Sequence, residues 1–158
     1  MLEKMMRRIP LLISLLTPLL LLPVGHGQSL TPASGNLVTT VTSETVSQVD
    51  NIVTIHEHFT LAISGTLSGT TDGTATVIVN LGTGNGVFFG TQTLTGTVLQ
   101  HSGTVQLEFS ATFVGNSFQG QSTLYGGTGG LTNLNGHVTI QGIINVSGSY
   151  SGFVTLTS

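Results

Sequence analysis

A chain of 158 residues with 39% hydrophobic content has the length and apolar share of one domain with a real core, not of a disordered segment. Only 6% of its residues are charged, against about a quarter in ordinary soluble domains, and Lys4, Arg7 and Arg8 are its only bases. Beyond them the charge comes from Glu44, Asp50, Glu57, Asp72 and Glu108 alone, five acids against no Lys or Arg, a formal −5. That balance argues against nucleic acid, polyanions and anionic membrane surfaces as partners, because all of them are held by cations. The absence of cysteine removes disulfides and a Cys-linked lipid anchor, so packing and a complete hydrogen-bond ladder must carry the stability.

The three bases open a leader. A basic start followed by the apolar run from Ile9 to Val24 and the small residues Gly25-His26-Gly27 has the order of a secretory signal peptide. An uncleaved anchor is the rival reading, but Pro10, Pro18 and Pro23 break the run, which falls short of the about 20 apolar residues of a comfortable span. The expected organisation is a signal peptide over 1–27, an N-terminal segment over 28–36 and a β-barrel domain over 37–158. The mature protein is expected outside the cytoplasm, secreted or, behind an outer membrane, periplasmic, with no membrane association once the leader is gone.

After the leader the pattern is period two, rich in Thr, Val and Ile and punctuated by Gly, Asn and Asp, as in half-buried antiparallel strands. Eight strands are predicted: Leu37 to Ser47, Asn51 to Ser64, Gly73 to Leu81, Val87 to Val98, Thr104 to Val114, Ser117 to Tyr125, His137 to Asn145 and Gly148 to Thr157. Thr71-Asp72-Gly73, Gly82 to Gly86, Gln100 to Gly103 and Gly115-Asn116 supply turn residues tolerant of positive φ. No connection is long enough for a helical crossover, so parallel pairing is not expected. The segment from Gly126 to Gly136 is the longest break, and Leu131 and Leu134 within it are spaced to share one face of a short helical turn.

Alternation assigns faces. Val105, Leu107, Phe109, Ala111 and Phe113 point inward, as do Phe118, Ser122 and Leu124, and Tyr150, Val154 and Leu156, which leaves Phe153 exposed. Glycines recur on the inner phase at Gly90, Gly120 and Gly152, as expected of strong bending or close approach. Open sheets defend their edges with lysine, proline or inward charge, and this chain has almost none. A closed eight-stranded up-and-down barrel is therefore predicted, and homo-oligomerisation through an edge is the alternative.

Several residues draw attention as chemistry. Val53, Ile55, Glu57, Phe59, Leu61 and Ile63 form one alternating face on which Glu57 alone is polar. A carboxylate inside an apolar barrel has a raised pKa and can act as acid or base, whereas a Glu at the barrel mouth, or one displaced by a bulge, is structural. Gln92, Ser122 and Tyr150 fall on inward phases with Phe109 and Phe118, where they either orient a ligand or satisfy a polar neighbour. His56 and His58 share the other face of their strand, and a metal site there needs a third ligand; after the leader only His101 and His137 remain to supply one by imidazole. The default is surface histidines, with no metal and no cofactor. The glycine run lacks the Lys-Ser/Thr ending of a phosphate loop, and no serine occupies a nucleophile elbow. The Thr91-x-Thr93-x-Thr95-x-Thr97 ladder suits a solvent face built on hydroxyls, and Asn145-Val146-Ser147 is a glycosylation sequon relevant only to a eukaryotic secretory route.

Thr40-Val41-Thr42-Ser43-Glu44, the run Phe88 to Val98, Phe118-Gln119-Gly120, Gly126 to Leu131 and Tyr150-Ser151-Gly152 together resemble an uncharacterised, DUF3224-like bacterial domain family grouped with the allene oxide cyclase and dirigent-type barrels. The resemblance covers nearly all of the chain after the leader. It implies an allene oxide cyclase-like barrel with an interior pocket, in a superfamily whose members guide cyclisation or radical coupling of apolar molecules. Allene oxide cyclases use an interior glutamate with polar partners, which makes Glu57 the corresponding candidate. Dirigent proteins use interior acids and an arginine, and this chain has no arginine after the leader, so that mechanism does not carry over. Three readings follow in order: an exported barrel binding a small apolar molecule, an isomerase or cyclase using Glu57, and a noncatalytic surface or matrix protein.

Overall fold

A computed structural model of the chain describes residues 29–157. The expected signal peptide over 1–27 lies outside the described residues. Eight strands follow one another in chain order: β1 (Thr31–Val49), β2 (Ile52–Gly65), β3 (Leu67–Asn80), β4 (Asn85–Val98), β5 (His101–Val114), β6 (Ser117–Gly129), β7 (Leu134–Ile143) and β8 (Ser147–Leu156). Each pairs antiparallel with the next, and β8 pairs with β1, so the sheet closes on itself. The ring is closed by Thr31 to Val38 lying against Ser147 to Val154. From Thr39 onward β1 has β2 as its only paired neighbour, so the end of β1 is an open edge at one end of the ring, while β2 stays paired with β3.

The turns between β1 and β2, β3 and β4, β5 and β6, and β7 and β8 gather at that end, which forms the mouth. Thr66, Leu99-Gln100 and residues 130–133 connect strands at the opposite end, which is plugged. Leu67, Val98, Val105, Leu131, Leu134 and Val154 are almost wholly buried there. Leu131 N–H bonds to the Thr128 carbonyl (3.1 Å) and Leu134 N–H to the Leu131 carbonyl (2.9 Å), a single tight turn that puts both leucines inside. The glycines before it have specific work. Gly126 (φ 63°) and Gly129 (φ 62°) adopt left-handed backbone, and at Gly127 a side chain would run into the Leu131 backbone. Gly126 and Gly127 together oppose Val105, a bulge that bends β6 over the plug.

Tyr150 fastens the same end. Its hydroxyl accepts the Leu67 N–H at 2.8 Å and lies 3.2 Å from the Leu67 carbonyl and 3.3 Å from the Ser64 carbonyl. It thereby satisfies the backbone where β2 turns into β3, a place the ladder itself cannot reach.

Several boundaries differ from the sequence expectation for identifiable reasons. β1 starts at Thr31 because its first residues make the closing pairs with β8, so much of the expected N-terminal segment over 28–36 belongs to the ring. Thr71-Asp72-Gly73 lies inside β3 and the turn sits at Gly65-Thr66. Gly73 is required there by a strand neighbour, since a Cβ would lie 2.5 Å from that of Gln92. The β4–β5 hairpin turns at Leu99 (φ 51°) and Gln100 (φ 70°), both left-handed without glycine; Leu99 packs against the core, which offsets a backbone cost of about 1–2 kcal/mol. Phe153 is exposed, at 51%, as its phase requires.

Leu134→Asp places a carboxylate in the plug, and its expected cost exceeds about 4 kcal/mol or prevents folding, read by urea denaturation. Tyr150→Phe leaves the buried Leu67 N–H without its partner, and the expected loss is about 1–3 kcal/mol with the far-ultraviolet circular dichroism spectrum unchanged.

Candidate functional site

The inner faces do not fill the ring. Above the plug lies a cavity of about 350 Å³ that reaches the mouth at Gly84, Asn116 and Asn145. Its wall is mainly apolar, and its most continuous part is aromatic. Phe59 meets Phe109 edge to face at 5.7 Å, Phe109 lies 6.1 Å from Phe88, and Phe88 meets Phe118 edge to face at 5.4 Å and stacks near Phe113 at 6.5 Å. Inner glycines make room for these rings. Gly90 pairs with Phe109 and Gly142 with Phe118, and a Cβ at either would press on the ring at 2.9 or 3.0 Å. At Gly120 and Gly152 an added side chain would instead run into the neighbouring strand, at Ser110 and Ala111 or at His137 and Val138.

Three polar side chains are buried on the inner wall, and they differ in one respect. Thr71 Oγ1 accepts the Leu61 N–H at 3.1 Å, whereas Gln92 Oε1 and Ser122 Oγ have no hydrogen-bond partner. Gln92 is 8% exposed and Ser122 3%, so neither is satisfied by open solvent, and an unmade hydrogen bond of this kind costs about 1–3 kcal/mol. Both line the cavity.

Glu57 also lines it, half-buried toward the mouth end of β2. Burial raises its pKa above the ordinary carboxylate value, and the nearby charge of Glu44 raises it further. Glu44 is the residue directly opposite Glu57 in the β1–β2 register, and it too faces the cavity. Simple alternation from Leu37, Thr39 and Val41 puts Glu44 outside. The reversal comes from Thr42, an extra residue between the pairs Val41 with Phe59 and Ser43 with His58. Thr42 Oγ1 donates to the His58 carbonyl at 2.9 Å, which leaves it to accept from His58 Nδ1 at 2.8 Å, and His58 Nε2 lies 3.2 Å from Asp72 Oδ1. Side chains from three strands thus hold the bulge that brings the second carboxylate inside. The one signal for it in the sequence is the spacing of five between Val41 and Val46, odd where an unbroken strand needs an even number.

Glu57, Gln92, Ser122, Tyr150, Phe109 and Phe118, singled out from sequence, all line this one cavity. Tyr150 stands at its floor with its hydroxyl committed to Leu67 and Ser64, remote from Glu57 along the strands. The histidines do not gather: His56 Nδ1 lies 3.1 Å from Thr76 Oγ1, His58 joins Thr42 and Asp72, and among the described residues no three His, Asp or Glu side chains form a metal-binding group. No helix among the described residues is long and apolar enough to cross a membrane.

A crystal structure of a protein of unknown function from Shewanella oneidensis MR-1, itself from the DUF3224 family, matches with a TM-score of 0.69 at 16% sequence identity, over 82% of this chain and 99% of that one. At that identity the likeness concerns the fold. No curated protein matches the chain. The family model described as a protein of unknown function, DUF3224, matches residues 34–151, which takes in both carboxylates, the aromatic wall and all of the plug but Val154. The chain belongs to the DUF3224 family.

Proposed function

We propose that this protein is an exported binder of a small, mainly apolar molecule held inside the ring, with access from the mouth. The observation that carries the reading is an aromatic-walled cavity of about 350 Å³ containing two buried polar atoms, Gln92 Oε1 and Ser122 Oγ, that the protein leaves without partners. A cavity of this size lies within the range of small-molecule sites, and a few unpaired polar groups on an apolar wall are how such sites orient a ligand. A ligand with a hydrogen-bond donor would satisfy both the wall and those atoms. Export is supported by the order of basic, apolar and small residues in 1–27. The wider kinship with allene oxide cyclase and dirigent-type barrels belongs to this proposal and agrees with an interior pocket.

The facing carboxylates favour a second reading, an isomerase or cyclase in which Glu57 gives or takes a proton. A carboxyl whose pKa is raised by burial and a like charge suits general acid–base work. The two readings share the cavity and differ in whether a bound molecule leaves changed.

Titration with the neutral dye N-phenylnaphthylamine tests the cavity. Its emission is expected to rise on binding, and Ala75→Phe, which fills space beside Glu57 and Phe59, is expected to weaken binding at least about tenfold while the circular dichroism spectrum is kept. Unchanged dye affinity in that variant would place the dye elsewhere and remove the reading.

The Glu57 carboxyl makes stability depend on pH in a definite direction. The folded state holds this proton more tightly than the unfolded chain does, so unfolding free energy falls as pH rises from the ordinary carboxylate value to the raised folded value, and is level above it. Urea midpoints of Glu57→Gln should lack that fall and exceed those of the parent at neutral pH. Identical pH profiles for the two proteins would show that Glu57 is not buried against Glu44.

A further inference from the structure

Four features converge at the mouth side of the cavity. Glu44 and Glu57 face one another across β1 and β2, and directly opposed residues have Cβ atoms about 4.5–5.5 Å apart. The next inner position beyond Glu57 is Ala75, and beyond Ala75 is Gly90, so the wall beside the carboxylates is small. Gln92, the next inward residue on β4, presents a carbonyl oxygen with no partner. Lys and Arg are absent from residues 29–157, and His58, which lies against Asp72, is committed to the bulge.

Two facing carboxyl groups, an unpaired Gln92 oxygen on the same wall, and no Lys or Arg among the described residues make a site that lacks one thing, a positively charged donor. Below it the wall turns to phenylalanine and leucine. Building on the pocket reading above, we infer that the ligand class is a protonated amine on an apolar body, with the ammonium between Glu44 and Glu57 and the apolar part among Phe59, Phe88 and Phe109.

The geometry suits an amphiphile in one orientation. Glu44 is on the part of β1 that β8 does not cover, and it remains exposed, so a charged head there keeps part of its hydration. The apolar end lies deeper, toward the plug. Asp50, in the turn between β1 and β2, adds attraction for a cation and repulsion for an anion. Fatty acids and other anionic amphiphiles, which would suit the apolar wall equally well, are rejected by this rim. Discrimination thus comes from charge at the rim and affinity from the wall.

Isothermal titration calorimetry of the purified full-length chain with decylamine, decanol and decanoate, each below its aggregation concentration, tests this at neutral pH. Decylamine is expected to bind at least about tenfold tighter than decanol, and decanoate weakest. In the double variant Glu44→Gln/Glu57→Gln the ratio between decylamine and decanol is expected to collapse, with circular dichroism confirming the fold. Equal affinity for decylamine and decanol in the parent, or a preference for decylamine that survives in the double variant, would overturn the inference while leaving the pocket reading in place. If none of the three binds, the pocket reading itself fails.

Discussion

Closure of the backbone ladder between β1 and β8 is the constraint on which everything else depends. Thr31 to Val38 must pair with Ser147 to Val154 for the sheet to have an inside. Once it closes, the inner faces are sheltered from water over most of the ring. The only long free edge left among the described strands is the end of β1 beyond Val38, so a chain almost without charges has little edge to protect. The same closure explains the hydroxyl-rich exterior. Threonine and serine outside bond across strands, as Thr104 with Thr128 at 2.6 Å and Thr139 with Ser151 at 3.1 Å, and give a hydrated surface without lysine or arginine.

Within the ring the two ends are built for different purposes. The floor is close-packed by Leu67, Leu131, Leu134 and Val154, and Tyr150 satisfies the backbone at the β2–β3 turn. Toward the mouth, glycine and alanine stand where larger residues would complete the core, and Gln92 and Ser122 stay unpaired. An interior optimised for stability alone would replace Ser122 with an apolar residue and Glu57 with a neutral one, since a lone buried hydroxyl and a carboxylate beside a like charge both cost free energy. Stability given up in one region of a well-packed molecule is the usual mark of a site kept for binding or chemistry.

Much of this was legible in the sequence where alternation is unbroken. From Val53 to Ile63 the period never slips, so Glu57 could be placed inside from its neighbours, and the same holds for Phe109 on β5 and Ser122 on β6. Leu131 and Leu134 were legible because glycine breaks the strand pattern around them. Glu44 was not, because a single inserted residue, Thr42, reverses its face, and what holds that insertion is His58 and Asp72 on two other strands. Thr71-Asp72-Gly73 carries strong local turn character that tertiary structure overrides: Asp72 faces His58 and Gly73 gives space to Gln92. The missing partners of Gln92 and Ser122 are likewise a property of the assembled ring, since phase places a side chain inside without saying what meets it.

The central claim is that the ring holds a small molecule which the protein's own side chains leave room and unpaired atoms to receive. Native mass spectrometry of the protein purified from its producing cells without organic solvent tests it most directly. The expected result is a protein carrying an adduct of small-molecule mass that is released on denaturation and absent from Ala75→Phe. A parent protein that flies only as the bare chain, and stays bare after incubation with apolar amines or neutral dyes, would contradict it.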